Sequence, residues 1–411
     1  MSDPLSNRER LRGLARHTKS RILNRLRRTT DRHMGAAPRG RPFLDYRREL
    51  SGAPAGRALL SYLAEPFHHQ PDYSGKQDYS NWMMSLEIAN ALNRIGFVVD
   101  VINYDDYDVI PTRGYDVFIG MAANFSRLLP LMRAQTRTVY WATRPDPASE
   151  MEAIRQRQLK LFQRRRKWVP IPEALLPLLE SADYHRADAL ILIGNSDVRS
   201  TFRTPSNRVY CVDNPAIEFS SSDTGVRDLS QARSHFLFLS SWLLVRKGLD
   251  LALEVFAERP DLQLWICGPV DSEPQLMRAY RQELFHTPNI HPLGWVGMQS
   301  AEFAEVTKRC AYLVFPSCAE GMSGSVINGM ARGLVPICTA ETGVDLDDFG
   351  LPVTDPSPQG LGEVIDLAAS LPIEELQRRG EAARSAAARR YTVGNFRQQI
   401  QSALEKSIER R

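Results

Sequence analysis

Residues 315–337 read FPSCAEGMSGSVINGMARGLVPI. The apolar run entering Phe315 predicts a buried strand that ends at Pro316, which has no amide to give to a ladder. Val326, Ile327, Met330 and Ala331 then give a helix its packing face. Between the two lies Ser323-Gly324-Ser325, where small side chains let the backbone approach a ligand and the amides of a first helical turn are suited to hold phosphate. Such turns also serve strand-to-helix packing alone. Lys247-Gly248 favours the first reading, because it follows another predicted strand and puts a lysine at the same sheet end as Glu320 and the Ser323–Ser325 turn. There an ammonium group neutralises a diphosphate and a carboxylate binds hydroxyls. The alternative for Lys247 is an exposed loop lysine.

Working outward, residues 235–338 alternate short apolar strands with helix-compatible stretches. The predicted strands are Phe236–Leu239, Leu262–Cys267, Ile290–Leu293, Ala311–Phe315 and Val335–Cys338. The polar, turn-rich segment 217–233 separates this series from an earlier one with strands at Ala58–Leu63, Val98–Ile102, Val117–Met121, Thr138–Ala142, Ala189–Ile193 and Val209–Val212. A helix carrying Trp82, Met83, Leu86, Ala89 and Leu92 and ending at Gly96 joins the first two as a crossover unit. Alternation of this kind predicts an α/β chain with parallel sheets covered on both faces. We expect a basic arm at 1–45, an N-terminal Rossmann-like domain at 46–225, a C-terminal Rossmann-like domain at 226–390, and a last helix within 391–411 that packs back on the N-terminal domain. In such sheets ligands bind beyond the carboxyl ends of the strands, so a cleft between the halves is the expected site.

Composition sets outer limits. The 411 residues are 43% hydrophobic and 24% charged, as in ordinary globular proteins. No apolar run approaches the roughly 20 residues of a membrane-spanning helix, and no apolar core with a cleavage site follows the N-terminus, so a cytoplasmic location is expected. The cysteines 211, 267, 310, 318 and 338 never form a CxxC pair and read as buried, reduced thiols. His68-His69 is the one close histidine pair, so no metal is expected. Residues 1–42 hold twelve Lys/Arg against three acids, a surplus of nine positive charges in a chain of net charge +4. That arm reads either as a basic amphipathic helix able to lie on an anionic membrane surface or as a solvated tail with no specific partner. Nucleic acid is not expected, since no aromatic residue interleaves the arginines.

Residues 235–345 resemble the donor-binding domain of retaining glycosyltransferases of family four, of the glycosyl transferases group 1 type and GT-B fold. The resemblance is carried by Arg246-Lys247-Gly248-Leu249-Asp250, Ile266-Cys267-Gly268-Pro269, Leu293-Gly294-Trp295-Val296, Phe315-Pro316-Ser317, Glu320-Gly321 and Gly333-Leu334-Val335-Pro336. It implies two facing Rossmann-like domains with a cleft between them, and a nucleotide-diphosphate sugar as donor. No cofactor or metal is implied. Glu320 would hold donor-sugar hydroxyls, Lys247 the diphosphate, and Ser323, Gly324 and Ser325 the phosphates through backbone amides; Gly294, Trp295 and Val296 would border the base. Transfer with retention would use the leaving phosphate to deprotonate the acceptor, without a protein nucleophile. The chain departs from the family at Asn328, where a ribose-binding glutamate is usual, at Trp242, where an arginine is common, and at Thr143–Asp146, where a histidine is common. Arg246 or Arg144 are the candidate substitutes for the arginine, and Gly75 and Arg144 the N-terminal-domain contributors. His68 and His69 are stand-ins for the histidine or merely solvated. The expected activity is hexosyl transfer to a glycan or lipid-linked acceptor in polysaccharide biosynthesis. The alternatives are a catalytically impaired GT-B binding protein and a sugar-nucleotide epimerase.

Overall fold

The computed structural model describes residues 41–68, 80–171, 183–219 and 227–409. They divide into two compact units: the first holds the described residues up to 151, then 183–217 and 390–409, and the second holds 152–171, 218–219 and 227–389.

The first unit is built on seven strands: β1 (Phe43–Tyr46), β2 (Gly56–Tyr62), β3 (Phe97–Asn103), β4 (Val117–Gly120), β5 (Arg137–Ala142), β6 (Ala189–Ile193) and β7 (Val209–Val212). Their order is β1-β3-β2-β4-β5-β6-β7, with β1 antiparallel to β3 and every other pairing parallel. Strands covered on both faces must be apolar throughout, and Leu59, Val99, Phe118, Val139 and Leu190 are each no more than 1% exposed. The helix Ser80–Arg94 connects β2 to β3 and stops at Gly96, whose φ of 96° favours a residue without a side chain. Helix Val393–Glu409 belongs to this unit, with Arg397 donating to Glu87 at 2.8 and 2.9 Å and Arg94 Nε donating to Gln401 at 2.8 Å.

The second unit carries six parallel strands in the order β10-β9-β8-β11-β12-β13. In chain order they are β8 (His235–Leu239), β9 (Gln263–Cys267), β10 (Ile290–Gly294), β11 (Tyr312–Phe315), β12 (Val335–Cys338) and β13 (Leu351–Pro352). Their core is aromatic, with Phe236 stacked on Tyr312 at 4.7 Å and Phe238 on Phe315 at 5.8 Å.

Three expectations differ from these facts. The arm was expected to run to residue 45, yet Phe43–Asp45 already lie in β1, where the Asp45 amide donates to Asp100 at 2.9 Å. Four residues among charges are too short to show a period. Residues 152–171 were expected to stay with 46–225 but pack with the second sheet: within that unit Arg157 and Arg164 bond to the fully buried Asp250 at 3.3 and 2.8 Å. Cys211 is exposed, because β7 is the edge strand of the first sheet, whereas burial pushes the Cys267 and Cys338 thiols up to about 12. Most of the basic arm, His69 and Gly75 lie outside the described residues.

Candidate active site

In the second unit the loop 240–248 leaves β8 and turns sharply. Leu243 has a φ of 64° and Gly248 of 89°, and a Cβ on Gly248 would stand 2.4 Å from the Pro316 carbonyl oxygen. Glycine is therefore required for the loop to press against the end of β11. The Cys318 amide and the Arg246 carbonyl complete that contact at 2.9 Å. On the other side Glu273, 5% exposed, accepts the Leu244 amide at 2.9 Å. Burial raises its carboxyl to about 7, while the Leu244 and Leu243 amides and the charge of Lys247 pull the other way.

The anchored loop brings two predicted residues together. Lys247 Nζ lies 3.8 Å from Glu320 Oε1, donates to Ser241 Oγ at 3.3 Å, and stands over the Phe315 ring. Arg246 comes within 3.5 Å of the same carboxylate oxygen, which also accepts from Ser317 Oγ at 3.4 Å. The Lys247 and Glu320 side chains are 10% and 13% exposed, so the charges are sheltered yet reachable. Glu320 is held from behind by its own amide, donated to the Glu341 carbonyl at 2.8 Å.

The helix Gly324–Ala331 begins three residues after Gly321. Ser323 is its N-cap, its hydroxyl accepting the Val326 amide at 3.4 Å, and its own amide goes to the Thr342 carbonyl at 2.9 Å. At 2% exposure Ser323 positions the turn and its amide is committed, whereas Gly324 and Ser325 at the start of the helix are part-exposed. Asn328 sits one turn further along the helix and is 2% exposed.

Gly294 ends β10 with a φ of 77°, its carbonyl accepting the Gly268 amide at 2.8 Å. Trp295 follows, 48% exposed, and Val296 is half-buried. Trp242, 38% exposed, stacks on Trp295 with ring centroids 6.5 Å apart and planes at 27°. Sequence reasoning missed this pair, and also Glu273. The signal for the pair was two tryptophans, each just beyond the end of a strand of one parallel sheet.

The two candidate substitutes for the arginine differ in place. Arg246 faces Glu320, whereas Arg144, in the first unit, is committed to Glu150 at 2.7 and 2.9 Å. His68 is exposed, with Nε2 2.6 Å from the Arg41 carbonyl. Among the described residues no group of three His, Cys, Asp or Glu side chains is placed to hold a metal ion. A cavity of about 580 Å³ in the second unit, bordered by Arg164, Arg165, Glu254, Arg259 and Glu283, shares no residue with the Lys247–Glu320 site, and its arginines are paired to neighbouring acids. No helix among the described residues is long and apolar enough to cross a membrane.

Residues 233–366 match the family Glycosyl transferases group 1. Among solved structures, sucrose-phosphate synthase from Thermosynechococcus elongatus is similar with a TM-score of 0.59 at 15% identity, covering 86% of this chain and 99% of that one. Anabaena HepE in complex with UDP and glucose gives 0.54 at 14% identity, covering 85% and 99%. An E. coli structure described as trehalose-6-phosphate bound with UDP-2-fluoro glucose gives 0.55 at 10%, covering 86% and 99%. No curated protein matches the chain in sequence. At these identities the structural likeness is one of fold.

Proposed function

We propose that this chain, a GT-B glycosyltransferase whose residues 233–366 form a Glycosyl transferases group 1 domain, moves a sugar from a nucleotide-diphosphate sugar to a glycan or lipid-linked acceptor. The observation that carries the reading is the convergence, in one unit, of the Lys247 ammonium and Glu320 carboxylate beyond β8 and β11, the latter strand leading into the helix that starts at Gly324. The complexes of HepE with UDP and with UDP-glucose add support by naming this ligand class for a protein of the same fold.

In this reading the bond between the sugar's anomeric carbon and the phosphate oxygen breaks while the acceptor oxygen bonds to that carbon on the same face. The acceptor's proton goes to the leaving phosphate, so configuration is retained and no protein nucleophile is required. Lys247 and the Gly324 and Ser325 amides stabilise the charge that develops on the diphosphate. Glu320 accepts hydrogen bonds from donor-sugar hydroxyls. Gly294, Trp295 and Val296 border the base, and Trp242 widens the aromatic face beside them. Asn328 takes the ribose with a neutral bond, weaker by about 1 kcal/mol than a charge-assisted one. No metal is called for. The basic residues of 1–42 would dock on an anionic membrane at the cytoplasmic side, where lipid-linked acceptors of polysaccharide assembly lie.

A thermal-shift screen against UDP-, GDP- and ADP-sugars tests the donor, since a ligand at about 100 times its Kd stabilises the protein by about 2.7 kcal/mol. Release of nucleoside diphosphate only when an acceptor is present then supports transfer. Release without acceptor would favour an epimerase, and tight binding with no release would favour a binding protein.

A further inference from the structure

Two loops supply the candidate site, one leaving β8 with Lys247 and one leaving β11 with Glu320. Those strands pair at Phe236 with Tyr312 and at Leu237 with Leu313, well short of either loop. The ladder therefore does not set the distance between the ammonium and the carboxylate, and contacts beyond the strand ends must do so.

Arg157 makes two such contacts from outside both loops. It lies in the helix Pro147–Arg165, in the part that packs with the second sheet, and is 4% exposed. Its Nη2 donates to the Pro316 carbonyl at 2.8 Å, on the chain that runs from β11 to Glu320. Its Nη1 lies 3.3 Å from Asp250 Oδ1. Asp250 is fully buried in the first turn of the helix Leu249–Ala257, three residues after Lys247. One guanidinium thus holds both loops in a dry setting. Its planar fork keeps the two arms at a fixed separation, which a single ammonium on a flexible stem does not.

Neutralising Asp250 does not account for this arrangement. Arg164 Nη2 donates to Asp250 Oδ2 at 2.8 Å, and Arg164 Nε donates to Glu254 at 2.9 Å. Both acids belong to the helix Leu249–Ala257, so Arg164 compensates charge on that helix without holding the β11 loop. Burial pushes the Asp250 carboxyl up, and Arg157 and Arg164 pull it back. The arm that Arg157 extends to Pro316 plays no part in that balance.

We propose that Arg157 is a positioning residue of the Lys247–Glu320 site, which sets the spacing of ammonium and carboxylate by tying Asp250 to the Pro316 carbonyl. The inference rests on the reading of that pair as the donor site. Arg157 lies outside residues 233–366 and touches neither member of the pair, so its effect passes through the two loops.

The test is calorimetry on the full chain with whichever of UDP, GDP or ADP binds, and with the matching nucleoside, for Arg157→Lys and Arg164→Lys. Each variant keeps a cation beside Asp250, and Arg157→Lys loses the second arm of the fork. Arg157→Lys should raise the Kd of the nucleoside diphosphate about five- to tenfold, less than loss of the Lys247 ammonium itself, and leave the nucleoside within about twofold. Arg164→Lys should leave both ligands within about twofold of the parent. If Arg157→Lys does not fold, Arg157→Gln combined with Asp250→Asn, which leaves Arg164 its pairing with Glu254, replaces it with the same expected results. The proposal is overturned if the Arg157 variant binds the diphosphate like the parent, or if it loses diphosphate and nucleoside equally. It is also overturned if Arg164→Lys loses as much, since charge on Asp250 would then be all that matters. Failure of the parent to bind any of the three diphosphates would instead sink the donor-site reading, and this inference with it.

Discussion

Lys247 carries the sharpest consequence of the site geometry. Replacing it by methionine keeps an unbranched apolar stem, removes the ammonium that stands 5.7 Å from the Phe315 ring centre, and leaves Arg246 at 3.5 Å to accompany Glu320. What disappears is one sheltered ammonium, 10% exposed, at the place where a diphosphate would sit. A hydrogen bond to a charged group contributes about 1.5 to 3 kcal/mol, so Lys247→Met should weaken the nucleoside diphosphate by about 10- to 140-fold. The nucleoside alone should change by less than about threefold, because in the proposed placement the base would lie toward Gly294–Val296 and not toward the ammonium. Calorimetry with both ligands on both proteins measures the difference. Equal losses for the two ligands would refute the reasoning, since the lysine would then support the loop 240–248 and not bind phosphate.

Glu320→Gln should leave the melting temperature nearly unchanged and sharply lower turnover at saturating donor, measured as acceptor-dependent diphosphate release; full turnover would remove Glu320 from the sugar site. Trp242→Arg should tighten the diphosphate and loosen the nucleoside if the tryptophan pair serves the base, and calorimetry showing no change in either would leave the pair without a role in binding. Glu273 has a native pKa of about 7, raised from an ordinary value of 4.5. The native state therefore holds its proton where the unfolded chain has lost it, and the resulting stability, up to about 3 kcal/mol, is full below the unfolded value and lost as pH rises to about 7. Glu273→Gln should flatten that dependence, so that urea midpoints of variant and parent diverge between pH 5 and pH 8 in the variant's favour; parallel curves would show that the carboxyl is not buried in its acid form.

The strands were legible because parallel strands covered on both faces must be apolar throughout, and Leu59, Val139, Leu264 and Leu313 stand within such runs. β1 was not, since Asp45 is fixed by a bond to Asp100, 55 positions away, and by no local period. Lys247 and Glu320 were legible as residues beyond strand ends, and their meeting follows from β8 and β11 being neighbours. The role of Ser323 needed coordinates: a small residue before a helix either offers its amide or caps the turn, and the Thr342 carbonyl decides between the two. Likewise Trp242 reads as a missing guanidinium until Trp295 is found stacked on it. Long-range partners of this kind leave no periodic trace, and nothing in the sequence marks Arg157 and Arg164 as the partners of Asp250.

The most direct test of the account is a co-crystal structure with the nucleotide sugar that gives the largest thermal shift. The account predicts the diphosphate within hydrogen-bonding distance of the Gly324 and Ser325 amides and of Lys247 Nζ, with the sugar hydroxyls on the Glu320 carboxylate. A nucleotide bound away from these four residues, or with its phosphates turned from the start of the helix Gly324–Ala331, would contradict it.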